Sequence, residues 1–258
     1  MSEKRTSSIY RLLRRLVELF YPAIEVVGEE NLPHEPCIVV GNHSQMNGPI
    51  ACELYFPGRR YIWCAGEMMH LKEVPAYAYR DFWSAKPRWS RPFWKVLSYI
   101  ISPLSVCVFN NAHTVPVYRD ARLLTTFRRS MELLGQGENI IIFPEHDEPC
   151  NNIICDFQDK FVDLARLYYK KTGVRLSFVP MYLAPRLKKI YLGKPLRFCP
   201  ETPIKEERGR ICGYLMEKIT ETAVSLPKHR VVPYSNVPKK NYPFNIPLEV
   251  KKYEKTGG

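Results

Sequence analysis

The sequence predicts an α/β fold: a single layered domain with a central, mostly parallel sheet flanked by helices. Three observations carry that expectation. Short continuous apolar runs such as "PCIVVGN", "NIIIFPE" and "RLSFVPMYL" read as strands buried on both faces. Longer segments between them repeat their apolar residues with a helical period. Strands and helices alternate along the chain, the pattern of parallel strands joined by helical crossovers.

The elements follow in order. In "SSIYRLLRRLVELFYP", Ile9, Leu12, Leu13, Leu16 and Phe20 share one helical face, and Arg11, Arg14, Arg15 and Glu18 another. Pro22 stops the helix. Two placements suit it: packed on a core with a solvated arginine face, or lying in a membrane interface with arginines among lipid phosphates. "PCIVVGN" and "RRYIWCAG" are strands. In "YAYRDFWSAKPRWSRPFWK", three of the four tryptophans stand among Arg80, Lys86, Arg88, Arg91 and Lys95. That mixture suits a lipid headgroup layer, a single-strand nucleic-acid groove, or a half-buried aromatic loop.

"TVPVYR" is the next strand. "DARLLTTFRRSMELLGQG" is a helix with Leu123, Leu124, Phe127, Met131 and Leu134 inward and Gly135 at its end. "NIIIFPE" reads as a central strand, and "DFQDKFVDLARLYYKKTG" as another helix. "RLSFVPMYL", "KKIYLG" and "PLRFCP" are strands, and a last helix runs from about Lys205 to Leu226. This divides the chain into an N-terminal amphipathic docking helix with linker (1–29), the α/β domain (30–226) and a peripheral Pro/Lys-rich tail (227–258).

Hydrophobic residues at 45% and charged residues at 25% of the 258 describe a globular chain. A net charge of +12 predicts attraction to nucleic acid, an anionic membrane or a phosphate-bearing substrate. Eight scattered cysteines, without a C-x-x-C, are expected to be reduced core filler in a cytosolic setting. Arginines interrupt the first apolar stretch, so it does not read as a signal peptide. The uncharged run Val96 to Ala112 is short for a bilayer span and contains Pro103, so no transmembrane helix is expected there.

Reactive residues in such folds collect beyond strand ends. The loops to watch carry Asn42-His43, Tyr118-Arg119 and Pro144-Glu145, with Val179-Pro180 on a fourth strand. There is no G-x-S-x-G elbow, Walker loop or G-x-G-x-x-G. His113, His146 and the nearby acids lack the spacing of a zinc site, so no metal is expected.

The order of these blocks resembles the glycerolipid acyltransferases, the 1-acylglycerol-3-phosphate (lysophosphatidic acid) acyltransferases and their relatives, over roughly residues 30 to 200. "NHSQMNGP" keeps Asn42, His43 and Pro49 but has Gly48 where the family has aspartate. "HTVPVYR" keeps Val115, Pro116 and Arg119, with His113 in place of glycine. "FPEH" keeps Phe143, Pro144 and Glu145, with His146 in place of glycine.

The resemblance implies an O-acyltransferase on the cytosolic face of the cell membrane. It would take an acyl-CoA or acyl carrier protein thioester as co-substrate, need no cofactor, and acylate a phosphate-bearing lipid acceptor. His43 would be the general base, a task that suits an imidazole near neutral pH. Arg119 would hold the phosphate with its planar fork, and Glu145, with Asn42, Pro144 and His146, would position the acceptor. The residue orienting His43 in place of the aspartate would be Asn47, Asp147 or Glu148. The expected partners are the lipid acceptor and an anionic membrane surface rather than a specific nucleic acid. A homologue that kept lipid or partner binding and lost the chemistry is the alternative.

Overall fold

The computed structural model describes residues 7–83, 86–118 and 120–246. In chain order these form α1 (Ser8–Phe20), β1 (Glu25–Val27), β2 (Ile38–Gly41), α2 (Asn47–Tyr55), β3 (Arg60–Ala65), α3 (Val74–Ala78) and α4 (Arg91–Asn111). Then come β4 (Thr114–Val117), α5 (Leu123–Gly135), β5 (Asn139–Ile142), β6 (Glu145–Pro149), β7 (Cys155–Phe157) and α6 (Asp163–Thr172). β8 (Ser177–Ala184), β9 (Lys189–Leu192), β10 (Leu196–Arg197) and α7 (Ile204–Ser225) follow. The architecture is mixed α/β, with mostly parallel strands flanked by helices. Two compact units share the chain: described residues up to Ala23 with Cys52–Ile141, and Ile24–Ala51 with the described residues from Ile142 onward.

In the second unit β2 runs parallel to β8, with Ile38 opposite Phe178 and Gly41 opposite Met181. β9 pairs antiparallel with β8 and parallel with β1, and β10 lies antiparallel on β8. β2 is buried along its whole length, which is why it reads as an uninterrupted apolar run. α7 packs on β8 and buries Ile211, Leu215, Ile219 and Ala223, one face at four-residue spacing. Each large side chain on that face contributes about 1.5–3 kcal/mol through burial. α6 stops at Gly173, whose φ of 73° is the left-handed conformation that a C-terminal cap requires.

The helix expected from Asp156 onward begins seven residues later, because β7 first closes a hairpin with β6. Likewise the strand "NIIIFPE" ends at Ile142, and Glu145 opens the hairpin. The C-terminal stretch is not a peripheral tail as far as residue 246. Val231, Val232, His229 and Asn245 are buried. Arg230 bridges Phe244 in antiparallel fashion, and Val231 N–H donates to the Pro243 carbonyl at 2.9 Å. Asn245 accepts the His229 N–H and donates to the carbonyls of Ala223 and Leu226. These local bonds hold a closed loop that no helical or strand period announces.

In the first unit β3 lies between β5 and β4, parallel to both. α3 and α4 share a small core of Met68, Val74 and Ala78 with Ile101, Val106 and Phe109. α4 is inside out. Its buried residues are Ser98 and Ser102, while Phe93, Val96, Tyr99, Ile100 and Leu104 are exposed. Ser102 Oγ donates to the Ser98 carbonyl at 2.6 Å, and the helix continues through Pro103. The run in which no membrane-length helix was expected is therefore part of one. Arg88–Asn111 is long and apolar enough to cross a bilayer by length and composition, with 11% of its apolar window buried. α1 also turns its apolar face outward: Ile9, Leu12 and Phe20 are 62%, 61% and 82% exposed, and only Tyr10 is buried. Of the face a core would cover, Leu13 is half-buried and the rest lies open. Tyr10 anchors the helix through a 2.8 Å hydrogen bond to Glu53.

Candidate active site

The site grows from the end of β2. Asn42 is buried, and its side chain is committed to the neighbouring strand. Oδ1 accepts the Leu183 N–H at 2.7 Å, and Nδ2 donates to the Leu183 carbonyl at 3.0 Å and to Ser44 Oγ at 2.8 Å. Asn42 therefore clamps β2 to β8 just before His43. The next two residues, Ser44 and Gln45, have φ of 47° and 56°. Two successive non-glycine residues in the left-handed region cost roughly 1–2 kcal/mol each, so their surroundings must hold them there. The Ser44 carbonyl accepts both the backbone N–H and the side-chain Nδ2 of Asn47, at 3.1 and 2.9 Å. Helix α2 then starts, its Gly48 N–H bonded to the His43 carbonyl at 3.1 Å.

Gly48 is closed to a side chain. A Cβ there would lie 2.5 Å from the His43 carbonyl oxygen and 2.9–3.0 Å from the Phe143 ring. Position 48 is thus closed off by the phenyl group of Phe143. The imidazole of His43, half-buried, meets Phe143 edge-on at 5.3 Å and 71°. It meets Tyr234 at 5.8 Å and 85°. Such aromatic contacts contribute about 0.5–1.5 kcal/mol each beyond area burial.

Glu145 joins the two blocks. One carboxylate oxygen accepts the His43 backbone N–H at 2.5 Å, and the other accepts the Cys155 N–H at 2.9 Å. Burial pushes the carboxyl up to about 7, against the opposing pull of those two donors. The Pro144 carbonyl accepts the Gln158 N–H at 2.9 Å, fixing the hairpin's entry. Strand alternation sends His146 and Glu148 to one side of β6, toward Asp156 of β7. Their ligand-type atoms lie within 4.8 Å of one another, and His146 Nε2 stands 3.9 Å from Asp156 Oδ2. These groups are half or fully exposed, where such pairing contributes little. Asp147 is exposed too. Glu145 reaches the histidine segment, and it does so through the main chain.

Arg119 lies outside the described residues. Beside it, Tyr118 OH bonds His70 Nε2 at 3.0 Å, and Arg122 stacks on the Tyr118 ring at 4.0 Å while pairing with Asp120. His113 pairs with Glu53 at 3.2 Å. Burial pushes the thiols of Cys37, Cys52, Cys155 and Cys212 up to about 12, which keeps them protonated rather than nucleophilic.

Sequence reasoning missed three contributors: Phe143 as a ring against the imidazole, Gln45, and Tyr234. Gln45 donates to the Ser235 carbonyl at 3.3 Å and accepts from Tyr242 OH at 3.2 Å, which ties the C-terminal loop to the residues after His43. The one available signal was "VVPY", a short apolar island in an otherwise polar stretch.

No protein-family model matches the chain, and no curated protein matches it. Among solved structures it is similar to the crystal structure of the 1-acyl-sn-glycerophosphate (LPA) acyltransferase PlsC from Thermotoga maritima. That similarity has a TM-score of 0.47 and 18% identity, and covers 85% of this chain and 82% of the other.

Proposed function

We propose that the chain is a membrane-surface O-acyltransferase, passing a fatty acyl group from an acyl-CoA or acyl carrier protein thioester to a phosphate-bearing, lysophospholipid-type acceptor. The observation that carries this reading is the meeting of two blocks 102 residues apart: the buried Glu145 carboxylate grips the His43 main chain. That contact fixes the backbone from which the imidazole projects.

The chemistry needs one base. His43 takes the proton of the acceptor hydroxyl as its oxygen attacks the thioester carbonyl. The tetrahedral intermediate then expels the thiolate, which recovers that proton from the imidazolium and leaves as free thiol. Asn42 and Glu145 serve the site as positioning residues, and Arg119 would hold the acceptor phosphate. The exposed apolar faces of α1 and α4 support docking on the inner face of the cell membrane. Arg88 just before α4, with Arg91 and Lys95 in its first turns, suits anionic headgroups.

The closure of position 48 by Phe143 favours one second reading, a lipid-binding homologue that has lost catalysis. Purified protein with lysophospholipid liposomes and a panel of acyl thioesters separates the two by free-thiol release. We expect release from the wild type and none from His43→Ala. Release unchanged in His43→Ala overturns the enzymatic reading, and lipid binding without any release supports the second.

A further inference from the structure

We infer that Tyr234 is a positioning residue for the His43 imidazole, holding the ring in the orientation that a carboxylate at position 48 would otherwise impose. The inference rests on the reading of His43 as the base. Position 48 cannot supply the restraint, because its Cβ site is blocked by the His43 carbonyl oxygen and the Phe143 ring. Rotation about the last side-chain bond of a histidine is intrinsically broad, so an unrestrained imidazole samples unproductive orientations. Here Phe143 and Tyr234 each stand close to perpendicular to the ring, at 71° and 85°. Each contact opposes that rotation.

Tyr234 is delivered by a built device. The loop that carries it is closed at its base by reciprocal bonds between His229 and Asn245, both buried. His229 is itself fixed, Nε2 against Tyr182 OH and Nδ1 against the Pro227 carbonyl, each at 2.8 Å. At the loop's far end the Ser235 carbonyl and Tyr242 OH hold Gln45, two residues past His43. The same latch stabilises the left-handed backbone of Gln45. A segment with no catalytic group of its own is thus pinned to Tyr182 of β8 at its base and to Gln45 at its far end.

The test compares Tyr234→Ala and Tyr234→Phe in the full chain, reading thiol release and the His43 ring by histidine-side-chain NMR. Tyr234→Ala should lower kcat about tenfold with KM nearly unchanged, equivalent to one tenfold step in rate. It should also change the His43 tautomer ratio. Tyr234→Phe keeps the ring and should restore both to within about threefold of wild type. A His43 tautomer ratio and pKa in Tyr234→Ala identical to wild type overturn the inference. So does a Tyr234→Phe variant as impaired as Tyr234→Ala. Should the wild type release no thiol, the acyltransferase reading fails while the NMR comparison still decides whether Tyr234 positions the ring.

Discussion

Glu145 and His43 meet carboxylate to backbone: Oε2 of the one accepts the main-chain N–H of the other at 2.5 Å, while Oε1 accepts the Cys155 N–H at 2.9 Å. Two donors converge on one buried group, and both need an acceptor. An amide offers a single oxygen and would turn its NH2 toward the remaining N–H. Glu145→Gln should therefore destabilise the protein by about 2–4 kcal/mol, as one buried donor loses its partner and faces another donor. Denaturant unfolding with unchanged m-value measures this. A midpoint equal to wild type would show that the clamp does not form in solution.

Glu145 also makes stability depend on pH. Its folded-state pKa, about 7, lies above the ordinary carboxylate value because burial disfavours the charge. Between the two values the folded state binds the proton and the unfolded chain does not. The contribution is therefore complete below about pH 4.5 and disappears as pH rises through 7, a change of ~3 kcal/mol for so buried a group. Unfolding curves from pH 4.5 to 8, compared with Glu145→Gln, should show that slope in the wild type and a flatter profile in the variant.

Gly48 tests whether the resemblance should be completed by mutation. Restoring an aspartate at this position looks, on sequence, like a gain in catalytic power. The geometry predicts the opposite. The new Cβ would sit 2.5 Å from a backbone oxygen, which cannot give way as a side chain can. Gly48→Asp should cost about 1–3 kcal/mol or more as an overpacked site and should lower thiol release. Phe143→Ala in the same chain should relieve only part of it, since the His43 carbonyl remains. Thermal unfolding of the two variants beside the wild type decides the matter.

The α4 surface predicts a binding phenotype separable from folding. Phe93 and Ile100 are 62% and 67% exposed and cover no core, so replacing both by aspartate should leave the unfolding midpoint within about 0.5 kcal/mol of wild type. Co-sedimentation with anionic liposomes should drop at least tenfold, each buried side chain of that size contributing about 1.5–3 kcal/mol. Undiminished sedimentation would remove α4 from the docking surface.

The strands and their order were legible in the sequence, because residues buried on both sides of a sheet leave continuous apolar runs. Ile38–Gly41 and Asn139–Ile142 fall inside the runs that announced them, and Ser177–Ala184 extends one residue past its own. α5 was legible in part: the structure buries Phe127 and Leu134 as its period predicts but leaves Leu124, also expected inward, 67% exposed, while α7 lies within a residue of its expected bounds. The β6–β7 hairpin was not legible. Its strands are short and charged, and its pairing is set by Glu145 bonding across to Cys155 rather than by any apolar alternation. The C-terminal loop was missed for a related reason: its hydrogen bonds run from Asn245 and Arg230 side chains to carbonyls, and such bonds have no period.

By itself the sequence determined which segments are apolar, on which helical face, and in what order the polar residues of the candidate site follow their strands. Only the tertiary structure decided what covers each face and which distant residues meet. α1 and α4 turn outward the apolar side chains that an amphipathic pattern alone would assign equally to a core. His43 acquires Glu145 beneath its backbone and Tyr234 beside its ring. The physical reason is that periodicity records the chemistry of one surface of an element. The partner of that surface is chosen when loops close over long chain separations, and a one-dimensional pattern carries no distance of that kind.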